Sequence, residues 1–318
     1  MPLQIGGSQP RKFRYHQSSP TELKGISMRR ILTLAVICAL AAPTLGFAAG
    51  SPALTQLRAN AQAGNVKAMF ELGDSLDEGK DGETNDPEAL SWFEKAAAKG
   101  SIDGAARAAY MYDEGEGTKI DDIKAAQYYL KAANGGNLSS QYNLALMYDN
   151  GEGVKLDDER ARFWYKTAAD LGHQNAQYNL ALMYDNGEGG AIDDRTAAKY
   201  YGLATDQGHA GAMYNLAIMN DEGEGMPENN NEAIRLYTRA AQTGHGNSMY
   251  NMGVMYRDAD GVTQDAARSY YWYSLAAKLD VEKAAEQRDR TVLRLSAPQK
   301  AKIDADVNKF ATAYFPEG

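Results

Sequence analysis

Glycine recurs at a fixed step of 36 residues along most of this chain. An alanine and an aromatic residue recur at the same step, and six copies align over residues 65–280 without an insertion. A fixed period of this length predicts supersecondary units that stack and share one core. Such arrays present long surfaces, so they usually bind rather than catalyse. The rows are Gly64, Gly100, Gly136, Gly172, Gly208 and Gly244; Ala96, Ala132, Ala168, Ala204, Ala240 and Ala276; and Phe93, Tyr129, Tyr165, Tyr201, Tyr237 and Tyr273.

The third copy predicts a first helix, helix A, that ends in a glycine turn. Leu144, Ala145 and Tyr148 fall on one face of this helix. Gly151 and Gly153 end it, because glycine readily adopts the positive φ of a helix stop.

The second helix, helix B, is predicted to open with Asp158 as its N-cap, since an aspartate accepts a hydrogen bond from a free amide of the first turn. Ala161, Tyr165 and Ala168 then form an apolar stripe, and Gly172 ends the helix. Neither helix can bury its stripe alone, so neighbouring pairs must pack together. The equivalents of Asp158 are Asp86, Asp122, Asp194 and Asn230.

These copies resemble the Sel1-like repeat, a relative of the tetratricopeptide repeat. The shared pattern is Asn-Leu-Ala-x-Met-Tyr-Asp-x-Gly-Glu-Gly from Asn143, then an aspartate, an alanine, an aromatic pair and Ala-Ala-x-x-Gly. The resemblance covers residues 65–280 and implies an all-α fold, a right-handed α-solenoid of antiparallel helix pairs. The last copy departs from the pattern at Arg257, Ala259 and Asp280, and the first at Asp81. Atypical terminal copies are expected of capping units.

The N-terminal segment has the order of a secretory signal peptide. A basic start at Met28 precedes an apolar run that is too short to span a membrane, and small residues follow up to Ala48. We therefore expect a cleaved signal at 28–48 and a non-native or disordered leader at 1–27. The mature protein is expected to be periplasmic or secreted, with no stable membrane insertion.

Helical caps are predicted on both sides of the array, at 49–64 and at 281–318. The first is in register with a helix B. The second contains a helix over Val281–Leu293 and a last helix reaching about Tyr314, which Ser296 and Gln299 open as a capping box.

Charge and cysteine content limit the partners and the means of stabilisation. Residues 49–318 carry 27 Lys/Arg against 41 Asp/Glu, a formal charge of −14. This surface disfavours nucleic acid and anionic membranes. Cys38, the single cysteine, lies within the predicted signal, so helix packing must stabilise the mature chain without disulfides.

Three candidate sites are better explained by structure. His173, His209 and His245 open successive copies, and equivalent residues of neighbouring layers lie too far apart to share a metal. The Asp-x-Gly-Glu-Gly turns have too few ligands for an EF-hand calcium loop. The position of the tryptophans also accepts Leu236, which favours core packing over sugar stacking. The tryptophans are Trp92, Trp164 and Trp272.

No nucleophile elbow, Walker loop or zinc-protease motif occurs in the chain. We therefore expect no catalytic residues, no bound metal and no cofactor, and a protein that is not an enzyme.

Two rows on helix A are the candidate partner-binding residues. In tetratricopeptide arrays, which the chain resembles, the matching asparagine lies on the concave face and can hold a peptide backbone. An amide both donates and accepts hydrogen bonds, and tyrosine adds apolar area with a polar tip. The alternative is that these residues pack between adjacent A helices. The rows are Asn143, Asn179, Asn215 and Asn251, and Tyr142, Tyr178, Tyr214 and Tyr250.

We expect an exported scaffold or regulator of envelope proteins that binds a protein or peptide through its groove; the regulatory part comes from the resemblance alone. The alternatives are a glycan-binding or polysaccharide-export helper of the cell envelope, and a secreted effector that binds a host protein.

Overall fold

The computed structural model describes residues 52–80 and 84–314, which form fifteen α-helices and no strand. The predicted leader and signal peptide lie outside these residues. The helices are α1 (Pro52–Gln62), α2 (Val66–Asp77), α3 (Asp86–Ala98), α4 (Ile102–Glu114), α5 (Asp122–Asn134), α6 (Leu138–Asn150), α7 (Asp158–Asp170), α8 (Gln174–Asn186), α9 (Asp194–Asp206), α10 (Ala210–Glu222), α11 (Asn230–Gln242), α12 (Gly246–Asp258), α13 (Ala266–Lys278), α14 (Ala284–Val292) and α15 (Ala297–Tyr314).

The described chain divides into two compact units, residues 52–80, 84–176 and 188–190, and residues 177–187 and 191–314. In the first unit, α1 to α7 each pack on the next helix, with A and B helices alternating from α2. In the second unit, α9 to α13 continue this alternation, and both α14 and α15 pack on α13. The predicted all-α arrangement of helix pairs is confirmed.

Each helix A follows a residue whose side chain accepts the backbone N–H of the third residue on, and so satisfies a free donor of the first turn. In the last three copies this residue is a histidine that accepts through Nδ1; for His209 the acceptor lies 3.1 Å from the Ala212 nitrogen. The cap residues are Asn65, Ser101, Asn137, His173, His209 and His245.

The predicted N-cap of helix B is wrong by one residue. The Asp157 side chain accepts from the Arg160 nitrogen at 3.0 Å, whereas Asp158 is the first helical residue. The preceding residue is the cap because its backbone is extended, which directs its carboxylate at the amide three positions on. The observed caps are Asn85, Asp121, Asp157, Asp193, Asn229 and Asp265.

The core is built from the two rows that the period revealed. All six alanines of the row are fully buried, which lets the helices approach closely. The aromatic row from Phe93 to Tyr273 is at most 2% exposed and fills the space between the helices.

The C-terminal helices differ in part from the prediction. α14 begins at Ala284 rather than at Val281, because Asp280 and Lys283 adopt positive φ and interrupt the helical backbone. At α15, the Ser296 backbone N–H donates to Gln299 Oε1 at 2.9 Å, as in a capping box.

The second glycine of each turn lies against the preceding copy. A Cβ added at Gly153 would overlap the Asp122 carbonyl, and the corresponding glycines of four other copies meet the same part of the preceding helix B. These residues are therefore glycine because two backbones approach closely, in addition to their positive φ.

We expect Gly153→Ala to destabilise the protein by about 1–3 kcal/mol more than Gly172→Ala. Both residues have positive φ, but a Cβ at Gly172 would meet nothing within 4 Å. Urea unfolding of the two variants measures the difference. Equal losses would mean that backbone conformation alone selects glycine at Gly153.

The histidine caps predict a dependence of stability on pH. Burial lowers the pKa of His245 to about 4 from an ordinary value of 6.5, because a buried cap must stay neutral to accept through Nδ1. Stability is therefore full above pH 6.5 and falls as the pH is lowered towards 4, by on the order of 2 kcal/mol at pH 5.

Replacing this residue with asparagine, the cap of α2 and α6, should keep the cap and remove its titration. We expect the urea midpoint of His245→Asn to change less between pH 7 and pH 5 than that of the wild type. Identical pH profiles for the two proteins would contradict a neutral cap.

Candidate binding surface

The predicted rows on helix A are not equally accessible. Tyr142 and Tyr178 are half-buried, as are Asn143, Asn179 and Asn215. The other three are buried: Asn251 is 0%, Tyr214 2% and Tyr250 8% exposed.

These three buried residues correct the expectation of a uniform exposed row. Tyr250 packs in a core cluster with Ala284 of α14 and Val307 of α15, so the C-terminal helices close this part of the second unit. Tyr214 belongs to a second cluster with Tyr237.

A hydrogen-bonded group, which we call the tyrosine node, involves the asparagine row. In the second unit, the Tyr201 hydroxyl of α9 donates to Asp185 Oδ2 at 3.1 Å, within the same copy. Asn215 of α10, in the next copy, donates from Nδ2 to the same hydroxyl oxygen at 3.0 Å. The node therefore links three helices of two consecutive copies.

The same node recurs at equivalent positions. In the first unit, the Tyr129 hydroxyl donates to Asp113 Oδ2 at 3.3 Å, and the Asn143 side chain hydrogen-bonds to Tyr129. In the second unit, Asn251 Nδ2 donates to the Tyr237 hydroxyl at 3.1 Å. The asparagine row therefore has a structural role at three copies.

The first copy replaces the node by a different interaction of the same helices. Phe93 occupies the tyrosine position and has no hydroxyl. Arg107 occupies the asparagine position and forms an ion pair with Asp77, and its guanidinium lies 5.6 Å from the Phe93 ring. An arginine can contact the carboxylate directly because its side chain is longer than that of asparagine.

The last copy lacks the node because its acceptor is missing. Arg257 occupies the aspartate position, and the Tyr273 hydroxyl is buried without a hydrogen-bond partner among the described residues. Arg257 instead donates to Gln287 Oε1 of α14 at 3.1 Å.

Burial keeps the node tyrosines protonated. Desolvation, followed by the nearby Asp185 carboxylate, raises the pKa of Tyr201 well above its ordinary value. Desolvation also raises the pKa of Tyr178. Their hydroxyl groups therefore remain available as donors at physiological pH.

The turn carboxylates have structural partners in the node. The described residues contain no group of three or more histidine, cysteine, aspartate or glutamate side chains that could hold a metal. The aspartates that donors reach are Asp113, Asp149 and Asp185, each through a helix B tyrosine.

The histidine caps lie against the tyrosine row. The Tyr178 and His209 rings stack with centroids 4.2 Å apart, and Tyr142 and His173 stack at 4.4 Å. Each histidine thus satisfies a helix end and packs on the tyrosine of the preceding helix A.

The tryptophans vary in burial. Trp92 is 7% exposed and belongs to the core, whereas Trp164 and Trp272 are half-buried. Trp272 packs against two core clusters of the second unit.

Sequence analysis missed two residues of the helix A face. Arg107 lies one period before Asn143, and Tyr110, which is 39% exposed, lies one period before Leu146. The period alone would have placed both residues on this face, although they do not match the asparagine pattern.

The geometry defines a repeat protein whose helix A face carries a regular set of amides and aromatic rings. The sequence profile of the Sel1 repeat matches six consecutive segments, so the chain belongs to the Sel1 repeat family. These segments are 66–101, 102–137, 138–173, 174–209, 210–245 and 246–281.

Solved structures support the fold. A Sel1 repeat protein from Oxalobacter formigenes is 28% identical, with a TM-score of 0.59, and the match covers 68% of this chain and 84% of that one. A protective antigen of uropathogenic Escherichia coli with an SLR fold is 24% identical, with a TM-score of 0.39 and coverages of 83% and 72%. The cysteine rich protein B of Helicobacter pylori is 27% identical, with a TM-score of 0.32 and coverages of 39% and 93%.

No curated protein matches the chain. Sel1 repeat proteins are generally non-catalytic scaffolds for protein interactions, which supports a general binding role. In the part of the chain that the structure describes, no helix has the length and apolar character needed to cross a membrane.

The node predicts different outcomes for two matched substitutions. Tyr201→Phe should destabilise the protein by about 1–3 kcal/mol, because it leaves buried polar groups of Asp185 and Asn215 without their partner. Tyr273→Phe should be close to neutral, since its hydroxyl has no partner to lose. Urea unfolding of both variants tests this, and equal losses would show that the hydroxyl hydrogen bonds do not contribute.

Proposed function

We propose that this chain is an exported, non-enzymatic scaffold or regulator of envelope proteins that binds a segment of a partner along the helix A face. The single observation that carries the proposal is the half-exposed, regularly spaced set of Asn143, Asn179 and Asn215 with Tyr142 and Tyr178. Amides at a fixed step suit an extended backbone, whose donors and acceptors also recur at a fixed step.

Two further features support the proposal. Family membership favours protein partners. The signal-like order of residues 28–48 favours export, although this segment lies outside the described residues. A cell-envelope glycan or a host protein is the alternative ligand, and the same experiment separates them.

The test begins with recovery of the partner from an envelope extract on the immobilised chain. One stoichiometric protein supports the proposal, whereas retention on peptidoglycan or exopolysaccharide supports the glycan alternative. The affinity of the recovered partner is then measured for variants of the second unit.

We expect Asn179→Ala combined with Asn215→Ala to weaken partner binding by at least about 1 kcal/mol, since each buried hydrogen bond contributes about that much. Circular dichroism should show unchanged helicity. Asn179→Ala alone provides a variant that leaves the Asn215 bond to Tyr201 intact.

The matched control is Lys199→Ala combined with Asp206→Ala, two exposed residues of α9, a helix B of the same unit. This control conserves net charge and should bind like the wild type. Unchanged affinity of the asparagine variants would place the site elsewhere on the molecule.

A further inference from the structure

The orientation of the Asn215 amide is fixed by its partners. The Tyr201 hydroxyl donates its proton to Asp185, whose carboxylate can only accept. The hydroxyl oxygen must then accept from Asn215, and Nδ2 lies 3.0 Å away. Rotating the amide by 180° would place Oδ1 against this oxygen, so the amide has one favourable orientation.

A second tyrosine uses the same amide nitrogen. The Asn215 side chain also hydrogen-bonds to Tyr178, in the direction that lowers the pKa of that hydroxyl, as a donor does. The two hydrogens of Nδ2 are thus directed at two hydroxyl groups. The atom of Asn215 left for a ligand is Oδ1, an acceptor.

The charge of the surrounding helices agrees with this polarity. Neither α8 nor α10 contains a lysine or an arginine. Asp185 lies near the C-terminal end of α8, and Asp221 and Glu222 near that of α10, where the helix dipole adds negative potential. An acceptor-rich or anionic ligand would find no cationic side chain on these two helices.

We propose, resting on the function proposed above, that the helix A face of the second unit around Asn179 and Asn215 binds an extended polypeptide segment that presents hydrogen-bond donors. Its backbone N–H groups meet the asparagine oxygen, and its lysine or arginine side chains reach the acidic helix ends. Packed helices lie about 10 Å apart, and an extended chain rises about 3.3 Å per residue, so the bound donors recur about every third residue.

The probe is a phage-displayed library of random twelve-residue peptides, selected on the full immobilised chain at about 0.15 M salt, where long-range charge effects are screened. Parallel selections use the wild type, the Asn179→Ala and Asn215→Ala pair, and the Lys199→Ala and Asp206→Ala control pair. We expect peptides that are enriched on both the wild type and the control, at least tenfold over the asparagine pair, to carry an excess of lysine and arginine.

Two further variants test the fixed amide. An enriched basic peptide and its counterpart with glutamate at each basic position are compared on wild type, Tyr201→Phe and Tyr273→Phe. Tyr201→Phe should reduce the preference for the basic peptide about fivefold, the value of one hydrogen bond, because it frees the Asn215 amide to rotate. Tyr273→Phe should retain the wild-type preference.

Each other outcome decides against part of the proposal. Peptides that depend on the asparagines but are acidic or indifferent to charge overturn the donor-rich ligand and leave the proposed function standing. The absence of any asparagine-dependent enrichment overturns both. A charge preference that Tyr201→Phe does not change overturns the fixed amide.

Discussion

The buried hydroxyl of the helix B tyrosine is the interaction on which the register of successive copies depends. A buried hydroxyl is costly unless it is hydrogen-bonded, and Tyr201 meets this need with Asp185 of its own copy and Asn215 of the next. Apolar packing of alanines tolerates small shifts, whereas these bonds require one arrangement. The node therefore adds specificity to a core that is otherwise built from repeated apolar contacts.

The same constraint orders the surface. The asparagines that reach the tyrosines from the next helix A are also those that face the candidate binding surface, so folding and recognition share side chains. The first copy keeps the link through Arg107 and Asp77, and the last has Arg257 bonded to Gln287. Terminal copies can depart from the pattern because each has a neighbouring copy on one side only.

The period predicted the helices, their glycine stops and the aromatic row, because all of these repeat with the backbone geometry. It did not separate Asp157 from Asp158 as the cap, since both are good caps and only the backbone conformation decides. The sixth copy held the missing signal, because Asp265 there is followed by Ala266, which cannot cap. The burial of Asn251 and Tyr250 was beyond the repeat, since it depends on α14 and α15.

The most direct measurement is a double-mutant cycle of unfolding free energies for Asp185→Ala and Asn215→Ala, in wild type and in the Tyr201→Phe background. A coupling energy of about 1 kcal/mol in the wild type that disappears without the hydroxyl is the result expected if the tyrosine joins the two copies. A cycle that is additive with Tyr201 present, or a coupling that persists in Tyr201→Phe, would contradict this account.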